Sequence, residues 1–113
     1  MIYKIHLIDP QQIKRFELES DKSIDYIYKN DKGIYFLWEN EDIVYVGKSN
    51  ELLARLDNHN VVKEHSISHI SILPILNNFE MDIAEIFYIH KLKPKYNKQY
   101  KYLDEEEITE IYI

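Results

Sequence analysis

Two short apolar runs set four residues apart constrain this chain more than any other feature. Gly33-Ile34-Tyr35-Phe36-Leu37-Trp38 and Ile43-Val44-Tyr45-Val46 are rich in β-branched and aromatic residues, with the acidic stretch Glu39 to Asp42 between them. That pattern predicts an antiparallel hairpin. Further strands are predicted at Met1 to Ile8, at His69 to Leu73, and at Ile108 to Ile113, which alternates again and fits a last strand beside the first. Asp9-Pro10 has the form of an N-cap followed by proline at the first helical position, opening a helix to about Glu19. Asn50 to His59 reads as a helix whose apolar side is Leu52, Leu53 and Leu56. Asn78 to Leu92 is the longest helical pattern, and Pro94 stops it. Its apolar residues run nearly all the way round, Met81, Tyr88 and Ile89 on one side and Phe79, Ile83 and Phe87 on the other. Burial on more than one face is expected of such a helix. The apolar island Ile24 to Tyr28 takes no assignment from its pattern.

At 113 residues the chain has room for one core and no second domain. The absence of cysteine excludes disulfides, thiolate zinc sites and cysteine nucleophiles, and fits a reducing compartment. No charged segment precedes an apolar run at the N-terminus, and Ile34 to Trp38 is far too short to span a bilayer. A soluble cytoplasmic chain with no membrane partner is the expectation.

A net charge of −6 would ordinarily speak against a nucleic-acid partner. Its distribution reverses that reading. Acids and bases cancel over residues 1–32 and nearly cancel over 33–103, while Asp104, Glu105, Glu106, Glu107 and Glu110 carry most of the excess. Between Ile86 and Leu103 lie five lysines, at 91, 93, 95, 98 and 101, and no acid. Lys91, Lys93, Lys95 and Lys98 are therefore candidates for contact with a phosphate backbone, and a solvated loop is the ordinary alternative.

Helix spacing isolates two polar groupings. Arg55 and His59 are four apart and project from one side of their predicted helix. Glu85 has Met81 and Ile89 one turn away on either side, which sets a carboxylate in an apolar stripe. Such an acid is expensive unless paired, protonated or bound to a cation. From helix geometry alone, an ion pair with Arg55 or a lysine accounts for it.

The order of these pieces says more. Gly33-Ile34-Tyr35, then Tyr45-Val46-Gly47 and Lys48, then Arg55, His59, Glu85, Tyr88-Ile89, Pro94 and Asn97 resemble the motifs of the GIY-YIG nuclease family in order and in spacing. Valine stands in the second tripeptide where the family's motif has isoleucine. The resemblance spans Gly33 to about Tyr100. It implies an α/β (α+β) domain, a three-stranded antiparallel sheet flanked by helices with the site on one sheet face. Residues 33–100 would be the nuclease core, 1–32 an N-terminal extension packed on the same domain with an added strand and helix, and 101–113 an acidic C-terminal segment.

The implied activity is hydrolysis of phosphodiester bonds in DNA by a divalent-metal-dependent endonuclease. Glu85 would be the protein ligand of one Mg²⁺ or Mn²⁺ ion, suited to a cation that keeps most of its waters. Arg55 would fork onto the scissile phosphate. Tyr35 would be the general base, its pKa lowered by nearby cationic charge, with His59 or Lys48 assisting the proton transfer. Tyr45 would orient phosphate or water, Asn97 would hold the geometry, and Gly33 and Gly47 would be structural, Gly47 by permitting close backbone approach. Two other readings stay open: a catalytically silent nucleic-acid-binding or partner module, and a nuclease subunit directed by a targeting protein. A homodimer is also compatible with the sequence. Repair, restriction, homing and phage defence are not separated by it.

Overall fold

The structure, a computed structural model, describes residues 7–18 and 20–97. The strands predicted at either terminus, Lys98, Lys101 and the acidic segment after Leu103 lie outside the described residues, apart from Leu7 and Ile8, which are not strand. The elements run in the order β1 (Phe16–Glu17), α1 (Asp21–Lys29), β2 (Gly33–Glu39), β3 (Asp42–Ser49), α2 (Leu52–Asp57), α3 (Asn60–Glu64), β4 (His69–Pro74) and α4 (Asn78–Leu92). The sheet has the order β1-β4-β2-β3, with every neighbouring pair antiparallel. The predicted three strands are thus joined by a fourth, two residues long.

β2 is central, and Gly33 to Trp38 are all buried. That double-sided burial is why the run is apolar without alternation. Its even-numbered residues Ile34, Phe36 and Trp38 pack with Val46 against Met81, Ala84, Tyr88 and Ile89 of α4. Its odd-numbered residues Tyr35 and Leu37 pack with Tyr45, Ile70 and Ile72 against Ile27 of α1 and Leu52 of α2. The far side of α4 is only partly covered, since Ile83 and Phe87 are half-buried and Phe79 is exposed.

The hairpin turns on Asn40 and Glu41, with Asn40 at φ 57°, a backbone state that asparagine tolerates. Trp38 pairs with Ile43, yet Leu37 pairs with Tyr45, so Val44 is an extra residue on β3. This β-bulge inverts the alternation beyond it. Without it Tyr45 and Gly47 would face α4. With it they lie on the face of Tyr35.

Two predicted helices are corrected. The Asp9-Pro10 helix is a single 3-10 turn, Pro10–Gln12, capped by Asp9, whose carboxylate accepts from the Gln11 N–H at 3.0 Å. Ile13 is already extended, because Phe16 and Glu17 are drawn into register with Ile70 and His69. The predicted Asn50 to His59 helix is broken at Asn58 and His59, and His59 begins α3 with extended backbone. The break lets the His59 side chain turn inward, where it is buried. Conversely, the unassigned island Ile24 to Tyr28 lies within α1, which Ser20 caps by accepting from the Ser23 N–H at 3.1 Å.

Two open edges remain among the described residues, that of β3 and that of β4 beyond the two residues paired with β1, and each is closed at one point by a side chain. On β4 the Tyr26 hydroxyl accepts from the Ile72 N–H at 2.9 Å and donates to the Ile72 carbonyl at 3.1 Å. On β3 the Asn97 amide accepts from the Val46 N–H at 2.9 Å and donates to the Val46 carbonyl at 2.7 Å. Tyr26→Phe keeps the ring, stacked on Phe16 with centroids 4.2 Å apart, and deletes both bonds to Ile72. It should lower stability by about 1–3 kcal/mol in urea unfolding, the range for part-buried groups left unpaired. A loss below about 0.5 kcal/mol would mean water serves Ile72 equally well.

Candidate active site

Tyr35, Tyr45, Arg55 and His59 come together on the α1/α2 face of the sheet. Tyr35 and Gly47 are cross-strand partners, and the Tyr35 ring lies over the glycine. A Cβ on Gly47 would sit 2.4 Å from both the Cζ and the hydroxyl oxygen of Tyr35. The close approach expected at Gly47 is therefore that of a tyrosine ring rather than of backbone. Gly33 meets a different demand: at φ 154° its Cβ would fall 2.2 Å from the Leu73 carbonyl oxygen.

The Tyr35 hydroxyl and His59 Nε2 are hydrogen-bonded at 2.8 Å. The imidazole stands edge-on to both phenols, with centroids 5.7 Å from Tyr35 and 4.9 Å from Tyr45. His59 Nδ1 is buried and has no hydrogen-bond partner among the described residues. Arg55, exposed on α2, is near enough to Tyr35 and Tyr45 for its charge to be felt by both phenols. Beside it runs an open groove lined by Ser49, Asn50, Glu51, Ala54, Arg55 and Asn58.

Electrostatics here run opposite to the expectation for Tyr35. Burial pushes its phenol well above the ordinary value, Tyr45 adds to the rise, and the pull of Arg55 does not offset them. Burial, then the Arg55 charge, holds His59 down at about 4. At neutral pH the pair is a phenol beside a neutral imidazole.

Lys48, Asp82 and Glu85 lie on the α4 side of β3, so the residues are not on one sheet face as expected. Lys48 Nζ bonds Asp82 Oδ1 and lies 3.9 Å from Glu85 Oε1, with the Glu85 side chain only 7% exposed. Lys48 is thus a cation beside Glu85. Asp82 went unnoticed in the sequence, although its i, i+3 spacing to Glu85 puts both acids on one side of a helix. Because β3 is the outer strand, the two groups flank one short stretch, Tyr45 to Lys48, from its two sides.

Asn97 reaches that stretch through Val46, as described above. The lysines are elsewhere. Lys91 Nζ lies 5.8 Å from the Phe87 ring centroid, Lys93 ends α4 in a left-handed conformation, and Lys95 is 2.9 Å from Glu39 Oε1. Lys93 and Lys95 border a hollow with Asp42, Ile43 and Val44, the end of β3 remote from the Arg55 groove.

The model of the GIY-YIG catalytic domain matches residues 31–102, more than half of the chain. The chain belongs to the GIY-YIG family. No curated protein and no solved structure matches it. Membership fits the four-stranded antiparallel α+β arrangement and places the chain in a family of endonucleases. Among the described residues no helix is long and apolar enough to cross a membrane.

Two measurements probe this geometry without a substrate. Between pH 6.5 and about 4 the unfolded chain takes up a proton at His59 that the folded chain refuses. Stability should therefore fall as pH falls through that window. The drop in urea midpoint from pH 7 to pH 5 should be smaller in His59→Gln than in the parent, and equal drops would place the acid sensitivity elsewhere. Separately, Gly47→Ala should lower stability by about 1–3 kcal/mol, because the buried Tyr35 ring has nowhere to move. A neutral urea midpoint for that variant would show that the ring is not confined.

Proposed function

We propose that this chain is a divalent-metal-dependent endonuclease that hydrolyses phosphodiester bonds in DNA. The observation that carries the reading is the convergence of Tyr35, Tyr45, Arg55 and His59 on one side of the stretch Tyr45 to Lys48, with Lys48 and Glu85 on the other. In-line hydrolysis needs an activated water, charge relief at phosphorus and a stabilised leaving oxygen. Arg55, exposed at the end of an open groove, binds the scissile phosphate through its planar fork. Tyr45 orients the phosphate or the attacking water.

Tyr35 takes the water's proton only if it can pass on its own. His59 Nε2, hydrogen-bonded to the phenol, is placed to accept it. The Arg55 charge opposes an imidazolium there. A phosphodiester bound on Arg55 offsets that charge, so substrate itself raises the basicity of His59. Proton transfer is thereby tied to occupancy of the site.

The donor set on the α4 side fits a hard cation. Glu85 offers a mostly buried carboxylate, Asp82 another three residues away, and no group of three or more His, Cys, Asp or Glu that could cage a transition metal occurs among the described residues. Glu85 would hold Mg²⁺ or Mn²⁺, and the bound ion would supply charge stabilisation to the phosphate and the leaving 3′ oxygen. Lys48 is shared between Asp82 and Glu85, on the side where the ion would bind. Asn97 fixes the backbone at Val46.

The purified chain should nick supercoiled plasmid with Mg²⁺ or Mn²⁺ and stop in excess chelator. Glu85→Gln and Arg55→Lys should each fold and lose roughly a hundredfold or more in rate, the second because a point charge does not reproduce the fork. Full activity in chelator or in Glu85→Gln would overturn the metal assignment. An inert parent on both duplex and single-stranded DNA would favour a binding module.

A further inference from the structure

Residues 93–97 and the end of β2 are joined by contacts that the proposed chemistry does not use. The Tyr96 hydroxyl donates to the Glu39 carboxylate, 2.9 Å from Oε1 and 3.0 Å from Oε2. Lys95 Nζ reaches the same carboxylate at 2.9 Å and lies 5.0 Å from the Tyr96 ring centroid. On the ring's flat side His65 stacks with centroids 3.6 Å apart and planes 11° apart. Tyr96 is thereby fixed at its tip and on its face.

What this fixed residue holds is the bulge. The Tyr96 N–H donates to the carbonyl of Val44, the extra residue of β3, at 2.9 Å. The next residue, Asn97, occupies both backbone groups of Val46. The carbonyl before Tyr45 and the amide and carbonyl after it are therefore held by consecutive residues of one segment. A bulge is a local register choice, and the competing regular ladder would turn Tyr45 and Gly47 away from Tyr35. His65 adds a second link, because it ends α3 and His59 begins it.

We propose that Tyr96, anchored by Glu39, is a positioning residue: it locks the Val44 bulge in the register that presents Tyr45 and Gly47 to Tyr35. Its catalytic consequence rests on the nuclease reading above; its structural consequence does not. Tyr96→Phe retains the stack on His65 and removes the anchor on Glu39. Glu39→Leu removes the same anchor from the other side, whereas Glu39→Gln keeps an acceptor for the hydroxyl.

The experiment combines amide exchange at Val46 by NMR with steady-state cleavage and urea unfolding of the parent and the three variants. Tyr96→Phe and Glu39→Leu should exchange the Val46 amide at least tenfold faster. Both should lose roughly ten- to a hundredfold in kcat with KM within about twofold, the penalty of misplaced groups rather than of weaker binding. Glu39→Gln should recover most of both losses, and the Tyr96→Phe/Glu39→Leu double variant should be no worse than either single one. Unchanged Val46 exchange in Tyr96→Phe would overturn the proposal whether or not the parent cleaves DNA. Faster exchange with parental kcat would overturn the positioning role. A silent parent would overturn the nuclease reading and the catalytic half of this inference, leaving the Val46 amide to decide the bracing of the bulge.

Discussion

Val44 is an extra residue between Ile43 and Tyr45, and that insertion decides which layer each later side chain of β3 enters. Tyr45 and Gly47 go toward α1 and α2, while Val46 and Lys48 go toward α4. The consequences spread outward. Tyr35 can lie flat across its partner only because that partner is a glycine, and His59 can then meet the phenol at its outer end. On the opposite side Lys48 is delivered to Asp82 and Glu85 by the same alternation. One strand thus serves two differently built chemical environments.

These environments differ in how they treat charge. Toward α1 and α2 the groups are aromatic, buried and uncharged apart from Arg55, whose exposed position lets water carry part of its field. Burial keeps the Tyr35 proton on and the His59 proton off, so no ion needs to be buried there. Toward α4 the groups are ionic, and one lysine is shared between exposed Asp82 and mostly buried Glu85. On the proposed function, a phosphodiester would bring negative charge to the first and a metal positive charge to the second, each supplying the sign its side lacks.

Much of this was legible in the sequence. The hairpin announces itself by its apolar runs and α4 by apolar residues nearly all round and by Pro94, and the spacing from Gly33 to His59 names Tyr35, Tyr45, Arg55 and His59, which the fold brings together. Sidedness was not legible. Whether Tyr45 faces Tyr35 depends on register against β2 and on a carbonyl held by Tyr96, more than fifty residues later. His59 was grouped with Arg55 for a helical spacing, yet it reaches Tyr35 because the helix breaks before it. The pKa of Tyr35 was expected to follow the neighbouring cation, but desolvation outweighs that pull, and burial is a property of packing rather than of local sequence. The short helix expected after Pro10 failed for a related reason: pairing with β4 is worth more to Phe16 than a weak local propensity.

Uncovered strand edges carry unpaired amides and carbonyls that invite another strand to add on, and here they run along β3 and along β4 past the short β1. In this chain Tyr26 at Ile72 and Asn97 at Val46 each fill a donor and an acceptor at once, imitating a single rung of a neighbouring strand. An incoming peptide or second copy would have to expel that side chain to extend the ladder at either point. The two residues therefore act as chain terminators of the sheet, and they do so with one tyrosine and one asparagine instead of the charges or prolines that commonly serve this purpose. At Val46 the terminator also holds the backbone beside Tyr45, so resistance to strand-wise aggregation and the placing of that tyrosine fall to the same amide.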